Sequence, residues 1–153
     1  MTIAVQQQDF DVGAVLDALG GAGKSGALAS FVGLVRDRGD RDGVIALELE
    51  HYPGMTERAL AAIEAEARRR FALDDCVIIH RVGHLPLGAR IVLVATASPH
   101  RADALDACAF LIDWLKTKAP FWKREITRDG AGAWVEAKES DDKATDRWGN
   151  DGG

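Results

Sequence analysis

Asp113–Glu125 reads DWLKTKAPFWKRE, and the break at its centre decides how the C-terminal half folds. Pro120 cannot continue a helix, and it pushes Ala119 out of helical geometry. Lys116 and Lys118 therefore end a helix, where cations suit the negative end of the dipole. Lys123 and Arg124 return on the segment after the break, with the apolar pair Phe121-Trp122 between the two sets of cations. A generic lysine-rich helix end accounts for the charges alone. The apolar pair adds a folded-back, partly buried loop in which the lysines share one site.

Upstream, the helix that ends here starts at Ser98-Pro99-His100-Arg101 and keeps Leu105, Cys108, Ile112 and Leu115 at a 3–4 spacing. Ser98 is the expected N-cap and Pro99 the first helical residue. Cys76–Val82 and Ile91–Ala97 are apolar, β-branched runs that read as adjacent strands, joined through Pro86 and Gly88. Pro53-Gly54 marks a turn, with Tyr52 as its anchor. A helix follows from about Thr56 through Leu60, Ile63 and Ala67 to Phe71, with Glu64 and Arg68 paired on its face. Val44–His51 alternates, which predicts a strand burying Ile45, Leu47 and Leu49.

Towards the N-terminus, Ala27–Val35 is a strand candidate. The charged stretch Arg36–Gly43 after it reads as a solvated hairpin loop, with Arg38 and Arg41 among its cancelling charges. Gly21–Gly26 is a loop with phosphate-loop letters, but Ala18 stands where that motif needs its first glycine. Asp11 caps a helix through Val15, Leu16 and Leu19 that Gly20-Gly21 stops, and Thr2–Val5 is a short strand. Beyond the break, Ala133–Ala137 is a last strand, and the polar segment after Glu139 ends in a mobile tail at 149–153. The pattern predicts one α+β domain over 1–153, with a mixed or mostly antiparallel sheet and two main helices.

A net charge of −5 over 153 residues argues against a nucleic-acid binder, which normally carries a basic excess. It makes the local cations more informative: a cationic spot on an acidic protein suits a small anion or an acidic peptide tail. His100 and Arg101, in a first helical turn, are unfavourable for the dipole unless an anion lies between them, which points to phosphate. The same two residues also fit an exposed surface pair. Arg36, at a strand end, is a third cationic candidate. His51, His80 and His84 are irregularly spaced and read as core or surface histidines, so no metal is implied. Cys76 opens an apolar strand and Cys108 sits on an apolar helical stripe. Buried thiols away from cations stay protonated and inert. Neither cysteine suits a nucleophile, and any sulfur the protein handles comes from elsewhere. Without a spanning apolar run or a signal-like N-terminus, the expected compartment is the cytoplasm.

KTKAPFWKRE, with LEHYPGMTE at Leu49–Glu57, HRVG at His80–Gly83 and SPHR at Ser98–Arg101, resembles the molybdopterin synthase catalytic (large) subunit family. The match runs in order from about Phe31 to Trp148. The resemblance implies an α/β-hammerhead-containing fold. It implies transfer of sulfur from a small ubiquitin-like subunit, thiocarboxylated at its Gly-Gly C-terminus, to cyclic pyranopterin monophosphate, which forms the molybdopterin dithiolene. It further implies a homodimer of large subunits within a heterotetramer, and no bound cofactor. Carried over by motif, Lys116 and Lys123 are the catalytic lysines, Lys116 serving as base or transient nucleophile. Arg36, His100 and Arg101 hold phosphate and pterin, and Arg124 and Glu125 line the pocket, with some groups supplied across the dimer. The rival reading is a non-catalytic adaptor that clasps the tail of a ubiquitin-like protein. A phosphoesterase acting on a cyclic phosphate lacks the metal ligands or histidine pair it would need.

Overall fold

A computed structural model describes residues 2–136 and 148–149. In chain order the elements are β1 (Thr2–Gln6), α1 (Val12–Leu19), β2 (Ala27–Leu34), β3 (Val44–His51), α2 (Met55–Arg70), β4 (Asp75–Arg81), β5 (Gly83–Pro86), β6 (Arg90–Ser98), α3 (Arg101–Lys118), β7 (Phe121–Thr127), β8 (Gly130–Ala131) and β9 (Val135–Glu136). The fold is α+β, and its strands divide between two sheets. The first runs β1-β4-β6-β2, parallel between β1 and β4 and antiparallel elsewhere. The second runs β5-β3-β7-β8, with β9 also on β7, and all its pairs are antiparallel.

The apolar runs at β4 and β6 are nearly continuous because helices cover both faces of the first sheet. Cys76, Ile78, Val92 and Val94 share a core with Leu60, Ile63 and Ala67 of α2 and Ala104, Leu111 and Leu115 of α3. Val77, Ile79, Leu93 and Ala95 pack on the other face with Phe10 and Leu19, joined by Val15 and Leu16 of α1. Asp11 caps α1 by accepting the Ala14 N–H at 3.1 Å, as its position before the apolar run predicts. Gly54 leads into α2 at φ 85°, a conformation that favours glycine. The Glu57 carboxylate accepts its N–H at 3.1 Å.

Several expectations change. The segment after Pro120 is strand β7 rather than a loop, laddered along β3 from His51↔Phe121 to Val44↔Thr127. The extended backbone that proline imposes at Ala119 is what converts helix into strand. Arg36–Gly43 is no simple hairpin, because β2 and β3 lie in different sheets. The connection between β4 and β6 contains β5, which pairs with β3 and so links the two sheets. In β3 the ladder is irregular between Val44 and Ala46. Val44 and Ala46 are consequently buried, Leu47 only partly, and Ile45 is 42% exposed. On α3, Leu105 is 61% exposed, since the buried face follows Ala104, Ala107, Cys108, Leu111 and Leu115.

Ser98 is the last residue of β6 rather than the cap of α3. Its hydroxyl donates to the Ala72 carbonyl at 2.6 Å and accepts the His100 N–H at 3.2 Å. His100 is the N-cap residue and Arg101 the first of the helix. Tyr52 anchors its turn through the backbone, its N–H donating to Thr56 Oγ1 at 2.9 Å, while its ring is exposed. Glu64 is buried, with its carboxylate on the exposed Arg68 and near the Cys76 thiol, so the pair reaches from the surface into the core. The last strand is Val135–Glu136, shorter than Ala133–Ala137. Of the tail at 149–153 only Gly149 falls among the described residues. Trp148 packs on Phe71 and Phe110, and its indole N–H donates to Asp113 at 2.7 Å. Among the described residues, no helix is long and apolar enough to cross a membrane.

Candidate active site

The two sheets and the end of α3 enclose a cavity of about 570 Å³. Its charged lining comes from three places. Arg36 and Arg38 arrive on the loop after β2, Lys116 on the last turn of α3, and Lys123 and Glu125 on β7. Phe31, Leu34, Leu47, Leu49 and Phe121 supply an apolar wall. The Pro120 break is what brings Lys116 and Lys123 together: the helix delivers one and the returning strand the other.

Strand periodicity then sorts the residues of β7. Phe121, Lys123 and Glu125 point into the cavity, while Arg124, one residue out of phase, faces away. Its guanidinium donates to both carboxylate oxygens of Glu48 at 3.1 and 3.2 Å and lies 4.8 Å from the Trp134 ring centre. Arg124 is therefore not among the lining residues, contrary to the expectation. Glu125 is, but its carboxylate is engaged. One oxygen accepts the Asp40 N–H at 2.8 Å and the other the Arg41 N–H at 3.1 Å. Gly39 sits so close that a β-carbon there would lie 2.5 Å from Glu125 Oε1.

The Arg36–Gly43 loop is accordingly pinned to β7 rather than free in solvent. Arg41 adds a hydrogen bond to Thr127 Oγ1 at 3.2 Å. The cancelling of surface charge holds only for Arg38 and Asp42, an exposed pair at 3.4 Å. Arg38 nevertheless lines the cavity, which its alternating-charge context did not indicate.

His100 and Arg101 lie at the far end of α3. Arg101 lies fifteen positions before Lys116, about 22 Å along a helix at about 1.5 Å per residue, and His100 and Arg101 are both exposed. One chain thus unites Arg36, Lys116, Lys123 and Glu125, and leaves His100 and Arg101 outside.

His80, read from the sequence as a core or surface histidine, is buried and also lines the cavity, a placement that reading did not anticipate. The available signal was its phase: with Cys76 and Ile78 it occupies the face of β4 that meets the helices. Among the described residues, no group of three or more His, Cys, Asp or Glu is arranged to hold a metal. The two thiols are buried and absent from the lining. Burial, reinforced by the Glu64 carboxylate, pushes Cys76 up to about 12, and burial pushes Cys108 up to about 11. Both stay protonated at neutral pH. Chemically, the cavity offers cations beside an apolar wall, a setting for a molecule with an apolar body and negative charge.

Comparison with known proteins gives the site its context. The family model described as MoaE protein matches residues 5–118. The molybdopterin synthase catalytic subunit of Ralstonia nicotianae is 54% identical over 149 residues, covering 97% of this chain and 84% of the relative. That of Escherichia coli K12 is 50% identical over 146 residues, covering 95% and 97%. The solved molybdopterin biosynthesis MoaE protein from Burkholderia ambifaria superimposes with a TM-score of 0.82 at 53% identity, covering 97% of this chain and 99% of that one. On a family match across most of its length and identity of 50% or more with relatives covered to 84% or more, the chain belongs to the MoaE protein family.

Proposed function

We propose that the chain is the catalytic subunit of a molybdopterin synthase, a sulfurtransferase acting in the cytoplasm. Sulfur passes from the thiocarboxylated Gly-Gly C-terminus of a small ubiquitin-like subunit to cyclic pyranopterin monophosphate, forming the dithiolene. The observation that carries this reading is the cavity itself, where Lys116 and Lys123 converge with Arg36 and Arg38 beside an apolar wall. Relatives at 50% identity and above bear the name of that catalytic subunit.

The roles follow from charge. The substrate is an anion and the incoming thiocarboxylate is another, so fixed cations stabilise both and the charge that develops as sulfur attacks. Lys116 acts as base or transient nucleophile, and Lys123 stabilises negative charge. Arg36 anchors phosphate. Glu125, with both oxygens on loop N–H groups, holds the loop that carries Arg36 and Arg38. His100 and Arg101 serve the site of a second protomer in a homodimer, with one small subunit at each end. The high-lying thiols favour sulfur supplied by a partner over sulfur relayed through this chain.

The test is incubation with the thiocarboxylated small partner and the cyclic pterin substrate, assaying for dithiolene. Product is expected only when all three are present. Sulfur incorporation by the isolated chain, without partner or added sulfide, would overturn the reading.

A further inference from the structure

Lysine and arginine offer only hydrogen-bond donors. The lining of the cavity therefore poses a question about acceptors, because a pterin carries ring N–H groups that need them. Among the described residues, the lining side chains that contain an acceptor atom are Glu125 and His80. Both oxygens of Glu125 already accept loop N–H groups.

His80 is only 4% exposed, and its ring stacks on Phe121 with centroids 3.8 Å apart and planes 19° from parallel. Its Nδ1 lies 2.8 Å from the Arg81 carbonyl oxygen. A carbonyl only accepts, so Nδ1 carries the proton and Nε2 keeps the lone pair. Burial holds this imidazole neutral, with the nearby Lys116 and His51 acting in the same sense, and brings its pKa down to about 3. A group of that basicity is a poor proton acceptor and a good neutral hydrogen-bond acceptor at neutral pH.

We propose that His80 reads the heterocycle: its Nε2 accepts a hydrogen bond from a ring N–H of the pterin, and Phe121 holds the imidazole in place. The inference rests on the pterin substrate proposed above and assigns its ring a residue of this chain. The cations bind the charged end of the substrate. His80 distinguishes a nitrogen heterocycle with an N–H from any other flat anion, because the wrong ligand leaves a buried polar atom unpaired.

The test uses the full chain as a folded protein and measures calorimetric affinity for cyclic pyranopterin monophosphate and, separately, for inorganic phosphate. His80→Phe keeps a flat ring against Phe121 and removes both nitrogens. His80→Gln keeps an acceptor. His80→Phe is expected to lose about ten-fold or more in pterin affinity, with phosphate affinity unchanged and part of the loss recovered in His80→Gln. Unchanged pterin affinity in His80→Phe, or an equal loss for pterin and phosphate, would overturn the assignment. If the variants do not fold, the wild type is titrated with a pterin methylated at the ring nitrogen. Weaker binding than the unmethylated ring supports the proposal, and equal binding overturns it. A wild type that binds phosphate but no pterin overturns the substrate reading, and this inference with it. A failure confined to the His80 arms leaves the substrate reading standing.

Discussion

Lys116 and Lys123 both reach the cavity, yet their proposed tasks differ, and arginine separates them. Arginine keeps the charge but does not deprotonate, and its planar fork does not reproduce the reach of an ammonium. Lys116→Arg is therefore expected to be as inactive as Lys116→Ala in single-turnover product formation, while Lys123→Arg keeps measurable activity. A near-wild-type rate in Lys116→Arg would make that residue an anion clamp. The thiols give a second prediction. Cys76→Ser with Cys108→Ser is expected to retain sulfur transfer in that assay, since both thiols are buried and protonated. Burying a hydroxyl costs on the order of 1–3 kcal/mol, offset in part at position 108 by the Val94 carbonyl, 3.8 Å from Sγ. A folded double variant without activity would show that a thiol relays sulfur. His80 adds a pH dependence. The unfolded histidine protonates near its ordinary value of 6.5 and the folded one only near 3. Between those values the unfolded state binds more protons, so the stability His80 contributes is complete above 6.5 and is lost as pH falls through 3. Melting curves recorded from pH 7 to pH 4 are expected to fall more steeply for the wild type than for His80→Phe.

The loop from Arg36 to Gly43 shows how one element positions another. It carries Arg36 and Arg38 to the cavity, and Glu125 on β7 anchors its later part by accepting the N–H groups of Asp40 and Arg41. Gly39 lets the loop come that close. In Gly39→Ala a β-carbon would lie 2.5 Å from Glu125 Oε1, so either the carboxylate or the loop must move. Overpacking of this kind costs about 1–3 kcal/mol. The expected result is a folded protein with weakened substrate affinity, measured by titration. Unchanged affinity at unchanged stability would mean that the loop adjusts without moving its arginines.

At the scale of the molecule, α3 carries Lys116 at one end and the His100-Arg101 pair at the other. If both ends serve catalysis, two copies of the chain must share sites. Isologous dimers built this way complement each other. Lys116→Ala and a His100→Ala, Arg101→Ala double variant are each expected to be inactive alone. When they are co-expressed in equal amounts, half of the dimers are mixed and each holds one intact site, so about a quarter of wild-type activity should return. No recovery in verified mixed dimers would show that the pair does not act across the interface.

Taken by itself, the sequence determined helices α1, α2 and α3, most of the strands and the charge of the site. Pro120 dictated where α3 stops, Asp11 where α1 starts, and the clustered lysines that the site is cationic. These are local matters, set by backbone sterics, capping and charge within a few residues. Tertiary structure decided the rest. Whether β2 and β3 pair with each other depends on partners far along the chain, and β6 and β7 take them into separate sheets. Phase on β7 turned Arg124 away and Glu125 inward. An irregular ladder reversed the burial of Ile45, and the length of α3 put His100 and Arg101 out of reach of Lys116. His80 reads as one more residue of a buried strand until the fold stacks it on Phe121 at the cavity wall. A hydrogen-bond acceptor gains its meaning from what surrounds it, and the neighbours of His80 include His51, Lys116 and Phe121, all distant from it in sequence.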